Sequence, residues 1–410
     1  MQTFKKLLFF LTIRERKRAG LLLIMILIMA LLDMIGVASI LPFIAVLTNP
    51  GLIETNLFLN NMFKFSNELG VENNDQFLFI LGVLVFVLLI LSLTFKAITT
   101  YFQTRFIQMR EYTVSKSFVE GYLRQPYSWF LDHHSAELGT NILSEVSRLI
   151  SGGMRPLMEL ISRSIVSVAL IVLLIIADPK LALLTSLFLG LFYGIIFFSI
   201  QSYLNRIGKK RLISNEKRFL SISEAFGAVK EVKVGGLEQI YINHFSDSAK
   251  IYARTQVSSS ILSQLPRFFL EAIAFGGIML IILYKMTQTG SFNNALPVLS
   301  LYVFAGYRLM PSLQQIYRSF TTLTFTGPVI EKLYNDKRNL KYFKINQEKK
   351  KLDFNNSITL NNLYYKYPNV SRTALKNINL KIPAKTTVGI IGPTGSGKTT
   401  MIDIISGKNS

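Results

Sequence analysis

Long stretches of apolar residues constrain the fold of this chain more than any other feature. A helix needs about 20 predominantly apolar residues to cross a hydrocarbon core of ~30 Å. Six stretches approach or exceed that length, namely 21–47, 77–95, 156–177, 181–200, 268–284 and 295–313. The first contains a single charge, Asp33, and the sixth is interrupted by Arg308. The sequence therefore predicts an all-α integral membrane protein with six transmembrane helices.

The composition agrees with that prediction. Half of the 410 residues are hydrophobic and only 17% are charged, which excludes an ordinary soluble protein and wholesale disorder. The formal net charge of +21 points first to cytoplasmic loops and anionic lipid headgroups, and we expect no nucleic-acid partner. The chain has no cysteine and three histidines, so thiol catalysis is excluded and a zinc site is disfavoured.

The distribution of basic residues predicts the orientation in the membrane. Six of them precede the first apolar stretch: Lys5, Lys6, Arg14, Arg16, Lys17 and Arg18. Because Lys and Arg accumulate on the cytoplasmic side, this end is expected inside. Six crossings then place loops 48–76, 178–180 and 285–294 outside, and the long loops 96–155 and 201–266 inside. We expect a multi-pass protein of the inner (cytoplasmic) membrane.

The two long inner loops have few helix-breaking residues. No proline occurs in 77–124 or in 181–265, which predicts that the second and fourth spans continue as helices beyond the membrane. Thirty extra residues would reach about 45 Å into the cytoplasm. Pro126, Gly227 and the pair Gly235-Gly236 mark the expected ends. Two independent soluble hairpins are the alternative. The outer loop 51–70 alternates apolar and polar residues, which fits either an interfacial helix or a capping loop.

The most specific motif is a glycine-rich loop near the C-terminal end. Residues 392–399, GPTGSGKT, match G-x-x-x-x-G-K-[ST] at every fixed position. The β-branched run 387–391 predicts a strand before it, and 400–406 a helix after it. In this arrangement backbone N–H groups surround phosphate oxygens, Lys398 reaches the β- and γ-phosphates, and the Thr399 hydroxyl ligates Mg²⁺. The motif predicts ATP and Mg²⁺ as cofactors. Upstream, Tyr367 is either part of an ordinary aromatic strand or an adenine-stacking residue.

Six spans with deep inner loops followed by this motif resemble an ABC exporter half-transporter. The resemblance also rests on 365–368 and 374–380, which look like the start of that family's ATPase domain, and on 123–130 and 136–148 in the first inner loop. It implies the ABC exporter fold, with a membrane domain at 1–331, a linker at 332–356 and the first part of an α/β P-loop ATPase domain at 357–410. It also implies coupling helices at about 132–142 and 221–234, a cytoplasmic nucleotide domain, and a second half-transporter as partner in a homodimer. The ATP-binding residues that it implies are Tyr367, Gly392, Pro393, Thr394, Gly395, Ser396, Gly397, Lys398, Thr399 and Thr400.

A closer resemblance is to the lipid-linked oligosaccharide flippases, through residues 266–273 and 307–312. It implies that Lys96, Arg267 and Arg308 face a cavity and hold the pyrophosphate of an anionic, polyprenyl-linked glycan. Gln315 departs from that branch, where an arginine is expected. The alternative for Lys96 and Arg267 is snorkelling at the membrane interface. For Arg308 the alternative is an ion pair, for example with Glu271.

The sequence ends twelve residues after Lys398, so it contains no Walker B carboxylate, signature loop or switch histidine. We therefore expect no ATPase activity from these 410 residues alone and a poorly folded C-terminal segment. Turnover that is abolished by Lys398→Ala would refute this expectation. Besides the glycolipid flippase, two functions stay open: an exporter of drugs, lipids or peptides, and a noncatalytic membrane subunit or remnant.

Overall fold

The chain is described here as a computed structural model. The structure describes residues 2–68, 71, 73–177, 179–289, 292–340, 356–367 and 372–406, and within these ranges it leaves out most side chains of 270–308 and several of 177–189. Nearly everything described before residue 341 is helical, as the apolar stretches predict.

Long helices run through all six apolar stretches. They are α2 (Ile13–Ala38) with α3 (Ile40–Thr48), α6 (Asn74–Leu123), α10 (Arg155–Ala177), α11 (Pro179–Gly227), α13 (Glu238–Thr289) and α14 (Phe292–Asn339). Among the described residues, three helical stretches are long and apolar enough to cross a membrane: Ile13–Thr48, Asn74–Leu123 and Ser135–Ile176. The fold is therefore that of a multi-pass helical membrane protein, and the count of six crossings stays a prediction.

The predicted continuation of the helices past the second and fourth apolar stretches is confirmed. Helix α6 has 50 residues and α11 has 49, about 75 Å each at 1.5 Å per residue. Pro126 lies between the end of α6 and the short helix α7 (Tyr127–Phe130). Gly227 is the last residue of α11, and Gly235 caps α12 (Val229–Val234). Gly236 has φ +64°, a left-handed conformation that glycine adopts without strain.

The short helices at the turns of the two long loops do not match the ranges predicted for the coupling helices. The first begins at α7, but α8 (Ser135–Thr140) already starts the next long helix, which continues through α9 (Val146–Leu149) and two π-helical turns, Asn141–Glu145 and Ile150–Met154. In the second, residues 221–227 still belong to α11, so the separate helix is 229–234 rather than 221–234. The predicted start at 221 was wrong because α11 continues through its internal glycines, Gly190, Gly194 and Gly208, and ends only at Gly227.

The first predicted span contains a break. Helix α2 ends at Ala38 and α3 begins at Ile40, with Ser39 between them. Pro42 lies in the first turn of α3, where it has no N–H to donate and where its ring opposes a continuous helix. The Ser39 hydroxyl instead donates to the Gly36 carbonyl at 2.9 Å.

The loop between α3 and α6 forms a helical cap. Helices α4 (Leu52–Thr55) and α5 (Leu57–Asn67) pack through Ile53 and Leu59 against Val46 of α3 and Phe77 of α6. Leu57 is 80% exposed on the outside of this cap. The loop is thus a capping element that also presents an apolar surface.

The largest buried cluster among the described residues joins the N-terminal helix to the long helices. Leu7 of α1 (Gln2–Phe9) packs there with Phe118 of α6, Leu149 of α9 and Ile330 and Leu333 of α14. Helix α14 continues to Asn339, eight residues into the segment predicted as a linker. Residues 341–355, the rest of that segment, lie outside the described residues.

The C-terminal part contains two strands and one helix among its described residues. Strands β1 (Ser357–Tyr365) and β2 (Leu375–Pro383) pair antiparallel, and α15 spans Lys398–Ile405, which confirms the predicted helix. The predicted strand at 387–391 is wrong for this structure. Its residues have no strand assignment, and Ile391 is 95% exposed. A β-branched run forms a strand only where a neighbouring strand pairs with it, and in the described residues β1 and β2 pair only with each other.

Candidate nucleotide site and polar residues of the membrane helices

The glycine-rich loop has the backbone shape that a phosphate site needs. Gly395 and Gly397 have φ of +82° and +87°, conformations that residues with a Cβ rarely adopt. A Cβ on Gly397 would lie 2.7 Å from the Leu375 side chain and 3.0 Å from the Ala374 carbonyl oxygen. The loop therefore packs directly on the start of β2, and only glycine fits at its last turn.

Lys398 and helix α15 place positive charge at this loop. The Lys398 amine donates to the carbonyl oxygens of Gly392 and Pro393, both at 2.7 Å, so it lies over the loop rather than in solvent. Helix α15 begins at Lys398, and its free N–H groups and dipole favour an anion at the same point. Thr399, the next residue, is exposed at this helix start. These groups fit the polyphosphate of ATP with its Mg²⁺.

Tyr367 lies beside the loop although 25 residues separate it from Gly392. Its hydroxyl donates to the Thr400 hydroxyl at 3.1 Å, and its ring contacts the Tyr365 ring edge-on at 5.0 Å between centroids. The described residues thus bring Tyr367 and the first turn of α15 together, as the adenine-stacking role requires. That role itself stays a prediction.

The first of the predicted cavity residues, Lys96, lies opposite a buried carboxylate. Its amine is 3.8 Å from Asp33 on α2, and the Ser92 hydroxyl donates to the same carboxylate at 2.6 Å. The Asp33 residue is only 1% exposed. Lys96 therefore joins α6 to α2. The sequence singles out Asp33 as the one charge of its stretch, but spacing along the chain could not identify its partner.

Arg267 and Arg308 are placed differently. The Arg267 side chain is 60% exposed, and its Nε donates at 2.7 Å to Glu271 one turn further along α13. Glu271, expected as a partner of Arg308, thus binds Arg267. The backbone of Arg308 belongs to α14, but its side chain lies outside the described residues. Gln315 donates to the Glu159 carboxylate of α10 at 2.5 Å, so this departure from the flippase pattern is linked to an acidic residue.

A buried ionic cluster between α11 and the turn Asn141–Glu145 was missed by sequence reasoning. Glu145, 1% exposed, accepts hydrogen bonds from Arg211 at 2.5 Å and from Asn215 at 2.6 Å. Arg211 and Arg218 also lie over the ring of Tyr252, at 5.2 and 4.2 Å. Burial favours the neutral phenol, but the hydrogen bond and charge of Arg211, with help from Arg218, lower the pKa of Tyr252 below its usual value. The cluster joins the turn Asn141–Glu145 to α11 and α13. No spacing in the sequence indicates it.

A second set of charged side chains lies near the C-terminal end of α14. Lys332 forms ion pairs with Glu137 and Glu216, each at 3.1 Å. Burial lowers the pKa of Lys332, but the two carboxylates outweigh it and the net shift is upward. One turn later, burial raises the pKa of Asp336 to about 6.

The chain thus combines long apolar helices with a glycine-rich loop whose backbone has the shape of a phosphate site. A family model described as the ABC transporter transmembrane region matches residues 20–311, and a second, described as ABC transporter, matches residues 375–410. Because the first match alone covers more than half of the chain, the chain belongs to the ABC transporter family. The matched ranges correspond to the helical part and to the segment that contains the phosphate-binding loop.

Individual relatives are similar at low identity. An ATP-dependent lipid A-core flippase of Cupriavidus pinatubonensis is 24% identical over 290 residues, which is 69% of this chain and 48% of that protein. A multidrug resistance-like ATP-binding protein MdlA of Buchnera aphidicola is 23% identical over 302 residues, 69% of this chain and 49% of the relative. The alpha-factor-transporting ATPase of Candida albicans is 25% identical over 311 residues, which is 64% of this chain and 23% of that protein. The chain spans about half the length of the flippase and the MdlA-like relative.

Proposed function

We propose that this chain supplies the membrane domain and the phosphate-binding loop of an ATP-driven exporter that flips an anionic, lipid-linked substrate across the inner membrane. The observation that supports the proposal is the loop itself. Gly395 and Gly397 have positive φ and the Lys398 amine lies over the loop, on a chain made mostly of long apolar helices. Tyr367 and Thr400 complete the nucleotide contacts, and Thr399 holds the Mg²⁺.

The mechanism follows from the long helices. Two copies would hold two ATP molecules between their nucleotide domains, and binding would draw these domains together. Helices such as α6 and α11, which are about 75 Å long, would transmit that movement from the short segments 127–130 and 229–234 to the membrane. Alternating access then follows as rigid helices rock around the substrate cavity.

The nucleotide site is tested by photolabelling the purified chain with 8-azido-ATP and Mg²⁺. We expect saturable labelling that excess ATP prevents and that Lys398→Ala removes, because the substitution deletes the amine beside the phosphates. Lys381→Ala, which removes an exposed lysine of β2, is the matched control and should label as the unaltered chain does. Equal labelling of the Lys398→Ala variant would disprove the site.

A basic residue of the membrane domain is proposed to hold the substrate's phosphate. Arg267 is exposed and carries a planar guanidinium, which suits bidentate phosphate binding. Its pair with Glu271 is an exposed pair between neighbouring turns, so the arginine can exchange partners at little cost in free energy. Lys96 and Arg308 belong to the same proposal.

ATP-dependent flipping of a fluorescent polyprenyl-pyrophosphate glycan in inside-out native membrane vesicles tests this cargo. Arg267→Ala should slow flipping, whereas Arg254→Ala, an exposed arginine earlier on α13, should not. Undiminished flipping in Arg267→Ala and in Arg308→Ala would remove the phosphate-binding role.

The pairing of the basic residues also favours a second candidate. Lys96 lies beside Asp33, and Arg267 binds Glu271, so both cations have carboxylate partners that neutralise them. A cavity with little net charge suits an uncharged amphiphile, such as a drug, a lipid or an apolar peptide. Vesicle transport of such compounds, with glycolipid flipping absent, would favour this candidate over the first.

A further inference from the structure

A small polar cavity lies between the segment 129–141 and the C-terminal end of α14. Its volume is about 120 Å³, which is room for about four water molecules. The polar and aromatic side chains that line it are those of Tyr122, Trp129, His133, Glu137, Asn141 and Asp336, with Asn339 beside them. We call this cavity the junction pocket, because it joins two segments that are far apart in sequence. It contains none of the residues assigned above to nucleotide or substrate.

The junction pocket contains a buried hydrogen-bond acceptor that has no donor. Asn141 is 2% exposed, and its Oδ1 has no hydrogen-bond partner among the described residues. The Nδ2 of the same amide is already used, since it donates to the Tyr122 hydroxyl at 3.3 Å and to the Asp336 carboxylate at 3.4 Å. Because a buried acceptor without a donor is unfavourable, the pocket favours an occupant that donates a hydrogen bond to Asn141.

Negative charge around the junction pocket exceeds positive charge. The carboxylates of Glu137, Glu216 and Asp336 all lie close to the ammonium of Lys332. Lys332 pairs with Glu137 and Glu216, each at 3.1 Å, and does not itself line the pocket. Its pair with Glu137 uses Oε1, so Oε2 stays available, and Asp336 has no ion pair among the described residues. A cation therefore complements the pocket better than a neutral or negative group does.

Stacked aromatic rings form another wall of the junction pocket. The Trp129 ring stacks on that of Tyr122 at 5.5 Å and on that of His133 at 3.8 Å between centroids. The Nδ1 of His133 lies 2.8 Å from the Trp129 carbonyl oxygen, and because a carbonyl only accepts, Nδ1 carries the hydrogen of that bond. Nδ1 is thus not available as a donor to the pocket, and aromatic rings are favourable neighbours of a cation.

A primary ammonium group matches these properties. It carries one positive charge and three N–H donors, and the pocket offers acceptors on Asp336, Glu137 and Asn141. A metal ion fits less well, because no group of three or more His, Asp or Glu side chains in the described ranges could hold one. The volume limits the occupant to an amine of about five non-hydrogen atoms. Asn339 is exposed at the edge of the pocket, where such an amine can enter.

We propose that the junction pocket binds the ammonium group of a small primary amine, which donates hydrogen bonds to Asp336, Glu137 and Asn141. The bound amine links the segment 129–141 to the last turns of α14 and stabilises their contact. The site goes beyond the exporter function proposed above and does not depend on it, so either proposal can fail without the other.

The fluorescence of Trp129, the only tryptophan of the chain, reports binding in the junction pocket directly. The probe is n-butylammonium chloride, titrated into the full chain in detergent at pH 8, where Asp336 with its pKa of about 6 is ionised. We expect a saturable change with a midpoint on the order of 1–10 mM, the range open to so small a ligand. Tetramethylammonium chloride has the charge but no N–H donor, and n-butanol has no charge, so neither should give a saturable change.

Substitutions locate the binding site. Asp336→Asn keeps the shape of the side chain but not its charge, and it should raise the midpoint about tenfold. Asp247→Asn, at an exposed position of α13, is the matched control and should leave the midpoint unchanged.

Three results would overturn the proposal. One is an equal midpoint in the Asp336→Asn and unaltered chains. Another is an equal response of the unaltered chain to tetramethylammonium, which decides the case even if a variant fails to fold. The third is a carbodiimide-induced amide between Asp336 and a lysine of a second, isotope-labelled copy, since that lysine would then fill the pocket.

Discussion

At the scale of single residues, Asp336 connects protonation to the packing of α14 against the segment that contains Trp129 and Glu137. Burial is the main reason for its raised pKa of about 6; the charges of Glu137 and Glu216 raise it further, and that of Lys332 lowers it. Its folded-state pKa lies above the unfolded value of 3.8, so the folded state binds the proton more tightly. The stability that this proton provides is complete below about pH 4 and is lost as pH rises through 6.

We therefore expect Asp336→Asn to flatten the pH dependence of stability between pH 4 and 7, because the amide stays neutral throughout. The unaltered chain should lose a few degrees of Tm over that interval. Trp129, the only tryptophan, stacks on His133 at 3.8 Å and lines the same pocket as Asp336, so its fluorescence reports unfolding there. Asp132→Asn, at an exposed aspartate nearby, should keep the original slope. If Asp336→Asn also keeps the original slope of Tm against pH, burial of the Asp336 carboxyl does not cause that slope.

Gly208 determines how closely α11 and α14 approach each other. A Cβ at this position would collide with the Phe325 carbonyl oxygen, which belongs to the backbone and cannot rotate away. We expect Gly208→Ala to destabilise the protein by ~1–3 kcal/mol, the usual cost of overpacking. Thermal unfolding in detergent measures the effect, and Gly190→Ala, on the same helix with open space around it, is the reference. Both variants gain the same helix propensity, so a difference between their Tm values measures the collision with Phe325. Equal Tm values would contradict the prediction.

At the scale of elements, the sequence predicts where helices end better than how they pair. Pro126, Gly227 and Gly235-Gly236 have local effects on the backbone, through a missing N–H or a tolerated positive φ, and the structure has helix ends at or beside each of them. The Gly-Lys-Thr motif is likewise local, so its loop and helix were predictable. The strand at 387–391 was not, because a strand depends on a partner elsewhere in the chain.

Pairing between elements depends on residues far apart in sequence. Glu145 and Arg211 are 66 residues apart, and Asp33 and Lys96 are 63 apart, so no periodicity connects them. The π-helical turns on either side of α9 were not predicted from the sequence either. These features come from tertiary packing, which a single sequence does not display.

The Glu145 cluster should hold the first inner loop to α11 and α13. Glu145→Gln leaves the buried charge of Arg211 without a carboxylate, and removing one partner of a buried pair costs ~3–5 kcal/mol. We expect a lower Tm and faster proteolysis of 127–154. Arg211→Met combined with Glu145→Gln should recover part of the loss, which a double-mutant cycle measures. Glu224→Gln, at an exposed position of α11, is the matched control and should change Tm little. If Glu145→Gln lowers Tm no more than this control, the cluster does not join these elements.

At the scale of the whole molecule, the membrane topology can be predicted only when hydropathy and charge are used together. Three helical stretches of the described chain are individually apolar and long enough to cross the membrane, whereas the prediction of six depends on basic inner loops and on a cytoplasmic N-terminus. The short connection at 178–180 is the critical point. It is outside if α10 and α11 both cross, and inside or within the membrane if they form a re-entrant pair.

Because the chain has no cysteine, single-cysteine variants can decide the topology without background labelling. We expect a membrane-impermeant maleimide to label Lys64→Cys and Lys180→Cys in intact cells, since both positions are exposed and lie in predicted outer loops. Lys230→Cys, exposed on α12, should react only after permeabilisation. A Lys180→Cys variant protected in intact cells would reduce the crossings to four. The phosphate-binding loop and the N-terminus would still share one side of the membrane, because removing a pair of crossings leaves the parity unchanged. Labelling of Lys230→Cys in intact cells would reverse the predicted orientation and separate the short helix α12 from cytoplasmic ATP.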